Sequence, residues 1–213
     1  MTERRVRVAY QGVPGAFSEE AAANFAPGAE TIGFPTFEEA FEAASTGACD
    51  YACLPVENSI AGSINQTYDL LTDSVLNVVG EQVVRVHHNL LVKPGVKLQD
   101  VKRVYSHPQA LAQCQKFLRQ HGFEAVTDFD TAGAAKLLAE NGGEGRAAIA
   151  SQRAAEAYGL EMIAEHIEDL PFNFTRFFVL GATEPPAPTG HSKSSLLLAT
   201  RHRPGDLVAC LEV

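Results

Sequence analysis

The sequence contains no tryptophan, two methionines and only four cysteines among its 213 residues. So few cysteines exclude a disulfide-rich scaffold, and their spacing completes no zinc-binding motif with histidine. Although 46% of the residues are hydrophobic, no apolar run approaches the roughly 20 residues of a membrane span. We therefore expect a globular protein whose cysteines are reduced and mostly buried. These cysteines are Cys49, Cys53, Cys114 and Cys210.

Basic residues are also scarce, since 17 lysines and arginines oppose 26 acidic residues and give a net charge of −9. A surface of this sign repels nucleic acid and anionic membranes, so neither is expected as a partner. The chain has no P-loop, no GxGxxG motif and no nucleophile elbow. Its basic start leads into a single short strand-like run rather than into a signal peptide, so a cytoplasmic location is expected.

Short β-branched runs alternate with amphipathic helical segments, which is typical of parallel βαβ units. Ser18 and Thr36 are predicted to cap the N-termini of helices, and Gly122 and Gly159 are predicted to end two others. The predicted strands include residues 6–10, 51–56, 101–105, 125–129, 147–150 and 194–200.

The C-terminal part of the sequence has a different composition. Residues 184–192 are rich in proline and predict a linker. After it, the predicted strand at 194–200 is followed by a helix that begins at Pro204. A strand and a short helix cannot bury their own apolar faces, so residues 193–213 are expected to be the truncated start of a second domain.

Glycine-rich or polar segments follow several predicted strands, where open α/β sheets bind ligands. These segments are residues 11–18, 57–63, 106–109, 130–133 and 173–178. Plainer roles compete with binding, because Gly15 suits a tight turn, Asp130 a helix cap and His107 a capping position. His87 and His88 are interpreted as a strand pair that lacks a third metal ligand.

Two of these segments are harder to explain by structure alone. Glu57, Asn58 and Ser59 interrupt an apolar strand just before a glycine turn. Thr175 and Arg176 lie between phenylalanines, where an arginine is costly unless it is paired or binds an anion. Both segments therefore indicate a functional site.

Taken together, the segments resemble the motifs of the prephenate dehydratase family, in the same order and over nearly the whole chain. They are GVPGAFS at 12–18, LPVENSIAGS at 54–63, SHPQALAQC at 106–114, DTAGAAK at 130–136 and NFTRFFVL at 173–180. The resemblance implies an α/β fold of two lobes, similar to a type II periplasmic binding protein, with the active site between them. The catalytic domain would cover residues 1–183. Its first lobe would hold about 1–75 plus 170–183, and its second about 76–169.

The resemblance also implies a function: decarboxylating dehydration of prephenate to phenylpyruvate, a step of phenylalanine biosynthesis. No cofactor and no metal are expected, because formation of an aromatic ring drives the reaction. Thr175 is the implied catalytic residue, and Arg176 is the expected carboxylate-binding residue. Further expected substrate-binding residues are Asn58, Ser59, Glu57, Ser106, His107, Gln109, Gly15 and Phe177. Glu57 and His107 remain alternative proton donors, and Phe177 fits core packing equally well.

Residues 193–213 would then begin an ACT domain, the module through which family members sense phenylalanine as an allosteric effector. The effector site would be incomplete in this chain, and the intact protein is expected to be a homodimer or homotetramer. Two other functions stay open. One is dehydration of arogenate, the amino-acid analogue of prephenate. The other is non-catalytic binding of a small molecule on the same scaffold.

Overall fold

The computed structural model describes residues 4–72, 74–184, 190, 193–196, 198, 200–201 and 203–212. The strands, numbered in chain order, are β1 (Arg7–Gln11), β2 (Glu30–Phe34), β3 (Tyr51–Asn58), β4 (Gly62–Ser63), β5 (Asn77–Arg85), β6 (Asn89–Val92), β7 (Arg103–Ser106), β8 (Glu124–Thr127), β9 (Arg146–Ala150), β10 (Glu161–Ala164) and β11 (Phe174–Gly181). The helices are α1 (Phe17–Phe25), α2 (Phe37–Ser45), α3 (Asn65–Thr72), α4 (Pro108–Gln113), α5 (Gln115–His121), α6 (Thr131–Asn141), α7 (Gln152–Tyr158) and α8 (Asp206–Leu211), with a 3-10 turn at Leu98–Asp100.

The first lobe is built on a sheet with the strand order β2-β1-β3-β11-β5, and β4 pairs with β3. Strands β1, β2 and β3 run parallel, whereas β11 is antiparallel to both of its neighbours. Phe177 and Val179 pack on one face of this sheet with α1, and Phe178 and Leu180 pack on the other with α2. This alternation follows from the two-residue repeat of a strand.

The second lobe contains a sheet with the order β10-β6-β9-β7-β8. Strand β7 is parallel to β8 and β9, and β6 is antiparallel to its neighbours. Leu111, Cys114 and Leu118 cover one face of the sheet, as their helical spacing predicts. Small residues of α6 and α7, among them Ala135 and Ala154, cover the other face.

The predicted two-lobed α/β architecture is confirmed, but the lobe boundary at residue 75 was wrong. Strand β5 pairs with β11 and therefore belongs to the first sheet. The chain crosses to the second lobe only after Arg85, and it returns before Phe174. A β-rich run shows that a strand forms, but it does not show which sheet the strand joins.

Most predicted helix ends are confirmed. The side chains of Thr36 and Asp130 cap α2 and α6, and Gly122 and Gly159 follow α5 and α7 in the left-handed conformation. The Ser18 cap was wrong, because Ser18 is buried inside α1. Instead the carboxylate of Glu19 accepts a hydrogen bond of 2.7 Å from the Gly15 N–H ahead of that helix.

The C-terminal predictions are only partly covered by the described residues. Most of the linker (185–189 and 191–192) lies outside them, as do residues 197 and 199 of the predicted strand. The described residues of 194–200 are not in a strand, whereas α8 lies within the predicted helix. Cys49, Cys53 and Cys114 are buried thiols, as expected, and Cys210 is exposed. None of the helices in the described ranges is long and apolar enough to cross a membrane.

Candidate active site

A small cavity of about 110 Å³ lies between the lobes, near both chain crossings. The first lobe contributes residues of β3, α1 and β11 to its wall, and the second lobe contributes residues along α4 and the first residue of α6. The lining residues are Phe17, Asn58, Val86, His88, His107, Gln109, Ala110, Gln113, Thr131, Asn173 and Thr175. Three of the predicted binding residues, Asn58, His107 and Gln109, therefore meet Thr175 here.

Asn58 orients the hydroxyl of Thr175. Its amide nitrogen donates to Thr175 Oγ1 over 3.0 Å, and to Asn173 Oδ1 over 2.8 Å. The amide oxygen of Asn58 accepts from the N–H groups of Ile60 and Ala61, which fixes the rotamer of this buried side chain. Because Thr175 Oγ1 already accepts a hydrogen bond, its own O–H remains available to donate.

The hydrogen bonds continue from Asn173 into the second lobe. Asn173 Nδ2 donates to Gln113 Oε1 over 2.8 Å, and His88 Nε2 lies 2.7 Å from the same oxygen. Thr175, Asn58, Asn173, Gln113 and His88 thus form one connected polar network between the lobes. We call this set the interlobe network.

His88 is the innermost member of the interlobe network, and only 3% of its surface is exposed. Burial lowers the pKa of His88, although the hydrogen bond to Gln113 opposes this shift. The neutral ring donates from Nε2 to Gln113, because an amide oxygen only accepts. Its Nδ1 has no hydrogen-bond partner among the residues that the structure describes. The edge of this ring faces Phe17 at a centroid distance of 6.2 Å.

His107 lies at the N-terminus of α4, where its Nδ1 accepts from the Gln109 N–H over 3.2 Å. The helix-capping role that the sequence suggested is therefore present. It does not compete with a chemical role, since the accepting Nδ1 forces the proton of the neutral ring onto Nε2. The Nε2–H of the neutral ring therefore remains available as a hydrogen-bond donor, and His107 lines the wall of the cavity.

Arg176 does not line the cavity, which corrects its predicted role as the carboxylate-binding residue. Consecutive strand residues face opposite sides of a sheet, so Arg176 shares the face of Phe178 and not that of Thr175. Its guanidinium lies 2.7 Å from the Glu81 carboxylate, 3.8 Å from that of Glu57 and 5.0 Å from the Phe178 ring centre. The positive charge of Arg176, for which the sequence indicated no partner, is therefore paired with two carboxylates.

The other predicted binding residues also lie outside the cavity. Glu57 is on the Arg176 side, and Ser59 bonds to Phe172 O and the Phe174 N–H, which joins β3 to β11. Ser106 is fully buried and donates to Ile149 O, and Phe177 is 1% exposed in the core. Both side chains are structural here, which for Phe177 is the plainer of the two predicted roles.

Gly15 is a point of contact between the lobes. Its carbonyl accepts a hydrogen bond of 2.6 Å from Ser151 Oγ, and its φ is +89°. A Cβ atom at this position would approach the Ala154 backbone to 2.5 Å. Glycine is therefore required by the close approach of the lobes and not by a ligand in this conformation.

Comparison with known proteins agrees with the motifs. The sequence profile described as prephenate dehydratase matches residues 8–185. The chain belongs to the prephenate dehydratase family. A relative named arogenate dehydratase/prephenate dehydratase 2, chloroplastic, from Arabidopsis thaliana is 46% identical over 98% of this chain and 55% of its own length. A bifunctional chorismate mutase/prephenate dehydratase from Neisseria gonorrhoeae is 42% identical over 99% of this chain and 59% of its own.

Solved structures of the prephenate dehydratase family share the fold. The enzyme of Arthrobacter aurescens in complex with L-Phe matches with a TM-score of 0.83 and 29% identity, covering 97% of this chain and 71% of that one. A protein described as GqqA, a novel type of quorum quenching acylase, matches with a TM-score of 0.80 and 38% identity, covering 86% and 66%. The present chain spans about half the length of the curated relatives that it matches.

Seven residues that line this cavity were not among the predicted site residues: Phe17, Val86, His88, Ala110, Gln113, Thr131 and Asn173. Asn173 and Phe17 lie inside the motifs that resemble the prephenate dehydratase family, so a signal existed for them. Gln113 also lies in such a motif but reads as a surface residue of a helix. Its bond to Asn173 spans 60 residues of sequence, and its bond to His88 spans 25.

Proposed function

We propose that the protein catalyses the decarboxylating dehydration of prephenate to phenylpyruvate. The observation that carries this proposal is the Asn58–Thr175 hydrogen bond of 3.0 Å at the interlobe cavity. Because Thr175 Oγ1 is the acceptor in this bond, the threonine O–H can donate to a bound molecule. A hydroxyl donor between two lobes suits a reaction in which a hydroxide must leave.

The proposed reaction breaks two bonds and needs no oxidant. The bond between the ring and its carboxylate breaks, the released electron pair completes the aromatic ring, and carbon dioxide and hydroxide depart. Thr175 stabilises the departing oxygen by hydrogen bonding. An aliphatic hydroxyl is too weak an acid to supply the proton at neutral pH, so a second group must convert the hydroxide to water.

His107 is the group that we propose as the proton donor. It lines the cavity, and an imidazolium at this position, with the Nδ1 hydrogen bond from the Gln109 N–H broken, would pass one proton to the departing hydroxide and return to the neutral form in which Nδ1 accepts that bond. Glu57, the other candidate, points to the opposite face of the sheet and pairs with Arg176. Replacement of His107 by Gln should therefore lower kcat more than replacement of Glu57 by Gln.

The substrate carboxylates need donors other than arginine or lysine, because neither type occurs among the described residues that line the cavity. Phe17 and Thr131, the first residues of α1 and α6, both line it. The first N–H groups of a helix have no partner within the helix and attract anions. We propose that these two helix starts hold the carboxylates.

Substrate entry requires a more open state than the one described. The cavity of about 110 Å³ is smaller than ordinary ligand sites of about 300–1,000 Å³. The two chain crossings are the natural hinges for separating the lobes. We infer that the interlobe network forms on closure, so that Thr175 is oriented only when the site is shut.

An assay with the purified protein tests the proposed function. Prephenate and arogenate should be supplied in parallel, and phenylpyruvate or phenylalanine should be measured as the product. We expect phenylpyruvate from prephenate. Turnover of arogenate alone would favour the activity for which several relatives are named. Binding without turnover of either compound would favour a non-catalytic binding protein.

Acylase activity is a second candidate, favoured by the 38% identity to the protein described as a quorum quenching acylase. The interlobe cavity offers the hydroxyl of Thr175, which accepts a hydrogen bond from Asn58, and His107 lines the same cavity. Release of a carboxylic acid from an N-acyl substrate, measured on the same preparation, would identify this activity. We expect no release at enzyme concentrations that turn over prephenate.

We also propose that residues 193–213 begin an ACT domain through which the longer protein binds phenylalanine and forms homodimers or homotetramers. The prephenate dehydratase of Arthrobacter aurescens, which has the same fold, has been crystallised in complex with L-Phe. Helix α8 exposes Leu207, Val208 and Leu211, an apolar set that favours cover by further structure. A protein of residues 1–213 should turn over prephenate without inhibition by phenylalanine. Inhibition at low phenylalanine would instead favour an effector site in the two lobes.

A further inference from the structure

Three potential metal ligands meet where the chain crosses between the lobes. His87 lies in the first crossing, and His166 and Glu168 lie in the second. Their ligand atoms all lie within 4.8 Å of one another. His87 Nδ1 is 2.8 Å from Glu168 Oε1, and the rings of His87 and His166 are 4.0 Å apart between centres. We call these residues the hinge cluster.

We propose that the hinge cluster binds a divalent first-row transition-metal ion, with zinc as the ion of choice. Two imidazoles and one carboxylate are a ligand set that zinc prefers. Zinc ligands lie about 2.0–2.2 Å from the ion, and therefore roughly 3.4 Å from one another in a tetrahedron. The observed separations require only small side-chain movements to reach this geometry.

The surroundings hold one of the ligands, Glu168, in place. Glu168 Oε2 accepts from the His88 N–H over 3.0 Å, and the Glu168 side chain is 5% exposed. The Ile167 N–H donates to the His88 carbonyl beside it, which joins the two crossings. Carboxylate ligands that are themselves hydrogen-bonded are typical of metal sites. The hinge cluster is therefore partly organised before any ion binds.

His166 adds a feature of its own. It is the one residue other than glycine with a positive φ, 52°, in the described part of the chain. Its N–H donates to Asn89 Oδ1 over 3.2 Å, which helps to hold this backbone conformation. The left-handed conformation is uncommon for residues with a Cβ. Here it turns the chain between Glu165 and Ile167, at the point where the imidazole meets His87.

The charge around the hinge cluster favours a cation and leaves room for a water ligand. A cavity of about 320 Å³ includes both histidines of the cluster in its wall. Three carboxylates line it, from Glu20, Glu156 and Glu165, against the two guanidinium groups of Arg85 and Arg153. With Glu168 the acidic excess grows, so a divalent cation would relieve repulsion among these groups. Among the described residues, Phe17 alone lines both this cavity and the interlobe cavity.

Because the ligands come from both crossings, a bound ion would join the two connections between the lobes. An ion that binds only the folded state stabilises a protein. The stabilisation grows with the logarithm of the ratio between the ion concentration and the dissociation constant. We therefore expect zinc to raise the melting temperature by several degrees, and to do so through His166.

Isothermal titration of the full chain with zinc chloride tests this site, using protein without a histidine tag and in a Cys210→Ser background that removes the exposed thiol. The decisive variant is His166→Asn, since asparagine tolerates a positive φ and removes only the imidazole. We expect one zinc ion per chain, and at least about tenfold weaker binding in the variant. His121→Asn, at an exposed histidine elsewhere, should bind like the parent.

Cobalt(II) gives an independent readout. Visible absorption of a four- or five-coordinate ion without a sulfur-to-cobalt charge-transfer band is expected in the parent, and its loss is expected in His166→Asn. Equal zinc affinity and equal stabilisation in the parent and in His166→Asn would overturn the proposal. A charge-transfer band would equally overturn it, because it would identify a cysteine site.

Discussion

The two faces of strand β11 differ in chemistry although their residues alternate along one chain. On one face, Thr175 meets Asn58 at a cavity whose described lining contains no lysine, arginine, aspartate or glutamate. On the other face, Arg176 pairs with Glu81 and lies near Glu57 and Lys193 at the protein surface. The neutral face carries the candidate chemistry, and the charged face carries an ion-pair cluster.

This difference shows that a charged residue within a motif need not line the candidate active site. Arg176 was predicted to bind a substrate carboxylate because an arginine between phenylalanines needs a negatively charged partner. The structure supplies that partner as a carboxylate of the same lobe. The period of two along a strand already separates Thr175 from Arg176, so this error was avoidable from the sequence.

The largest effect is expected from removal of the threonine hydroxyl. Thr175→Val keeps the shape but deletes the donor, so kcat should fall by about 10²–10⁴-fold with a small change in KM. Thr175→Ser should retain more activity. Steady-state kinetics of phenylpyruvate formation measure both. A valine variant with the parent kcat would remove Thr175 from the mechanism.

A smaller loss of kcat is expected when the interlobe network is interrupted at a residue that does not contact the Thr175 hydroxyl. Gln113→Leu leaves the donors of Asn173 and His88 without an acceptor, which costs about 1–3 kcal/mol of stability. Turnover should fall because Asn173, which accepts a hydrogen bond from Asn58, loses its partner in the second lobe. Gln115→Leu, at an exposed position in the next helix, is the matched control for thermal unfolding and kcat. Equal behaviour of the two variants would mean that the network does not support the site.

Little change in catalysis is expected on the charged face. Arg176→Gln should leave KM within about twofold of the parent, and should lower stability by at most about 1 kcal/mol because the pair is partly exposed. Glu57→Gln should change even less, since its contact with Arg176 is 3.8 Å long and more exposed. A large rise in KM for Arg176→Gln would restore its predicted role as the carboxylate-binding residue.

The smallest expected effect is on the stability of the folded state at acid pH. Burial raises the pKa of Glu81, but hydrogen bonds from Lys193 and Arg176 outweigh it and hold the pKa below its ordinary value. A carboxyl with a lowered pKa stabilises the folded state above the ordinary value of about 4.3 and loses this contribution as the pH falls. The free energy of unfolding, measured at a series of pH values, should therefore fall less steeply toward acid pH in Glu81→Gln than in the parent. Identical slopes would contradict the pairing.

The fold was largely predictable because its signals are local. Alternating strand and helix patterns, the caps at Thr36 and Asp130, and the glycines after α5 and α7 follow from neighbouring residues. The position of β5 did not follow, because its pairing with β11 joins segments almost 100 residues apart. The division between α4 and α5 at Cys114 does not follow from local signals either, since the apolar spacing of Leu111, Cys114 and Leu118 continues through it.

The site was predictable only in part. Thr175 and Asn58 were found through motifs, but the hydrogen bond between them spans 117 residues and is visible only in the fold. The hinge cluster was missed for the same reason, because His166 and Glu168 lie about 80 residues after His87. Local patterns identify which residues are unusual. Long-range pairing decides which of them meet.

A double-mutant cycle between Asn58 and Thr175 tests the central claim most directly, with thermal unfolding measured to confirm that each variant is folded. If Asn58 acts by orienting the Thr175 hydroxyl, Asn58→Ala should lower kcat alone but should add less than about twofold to the loss already caused by Thr175→Val. Losses that multiply in the double variant would contradict the account, because the two side chains would then act independently.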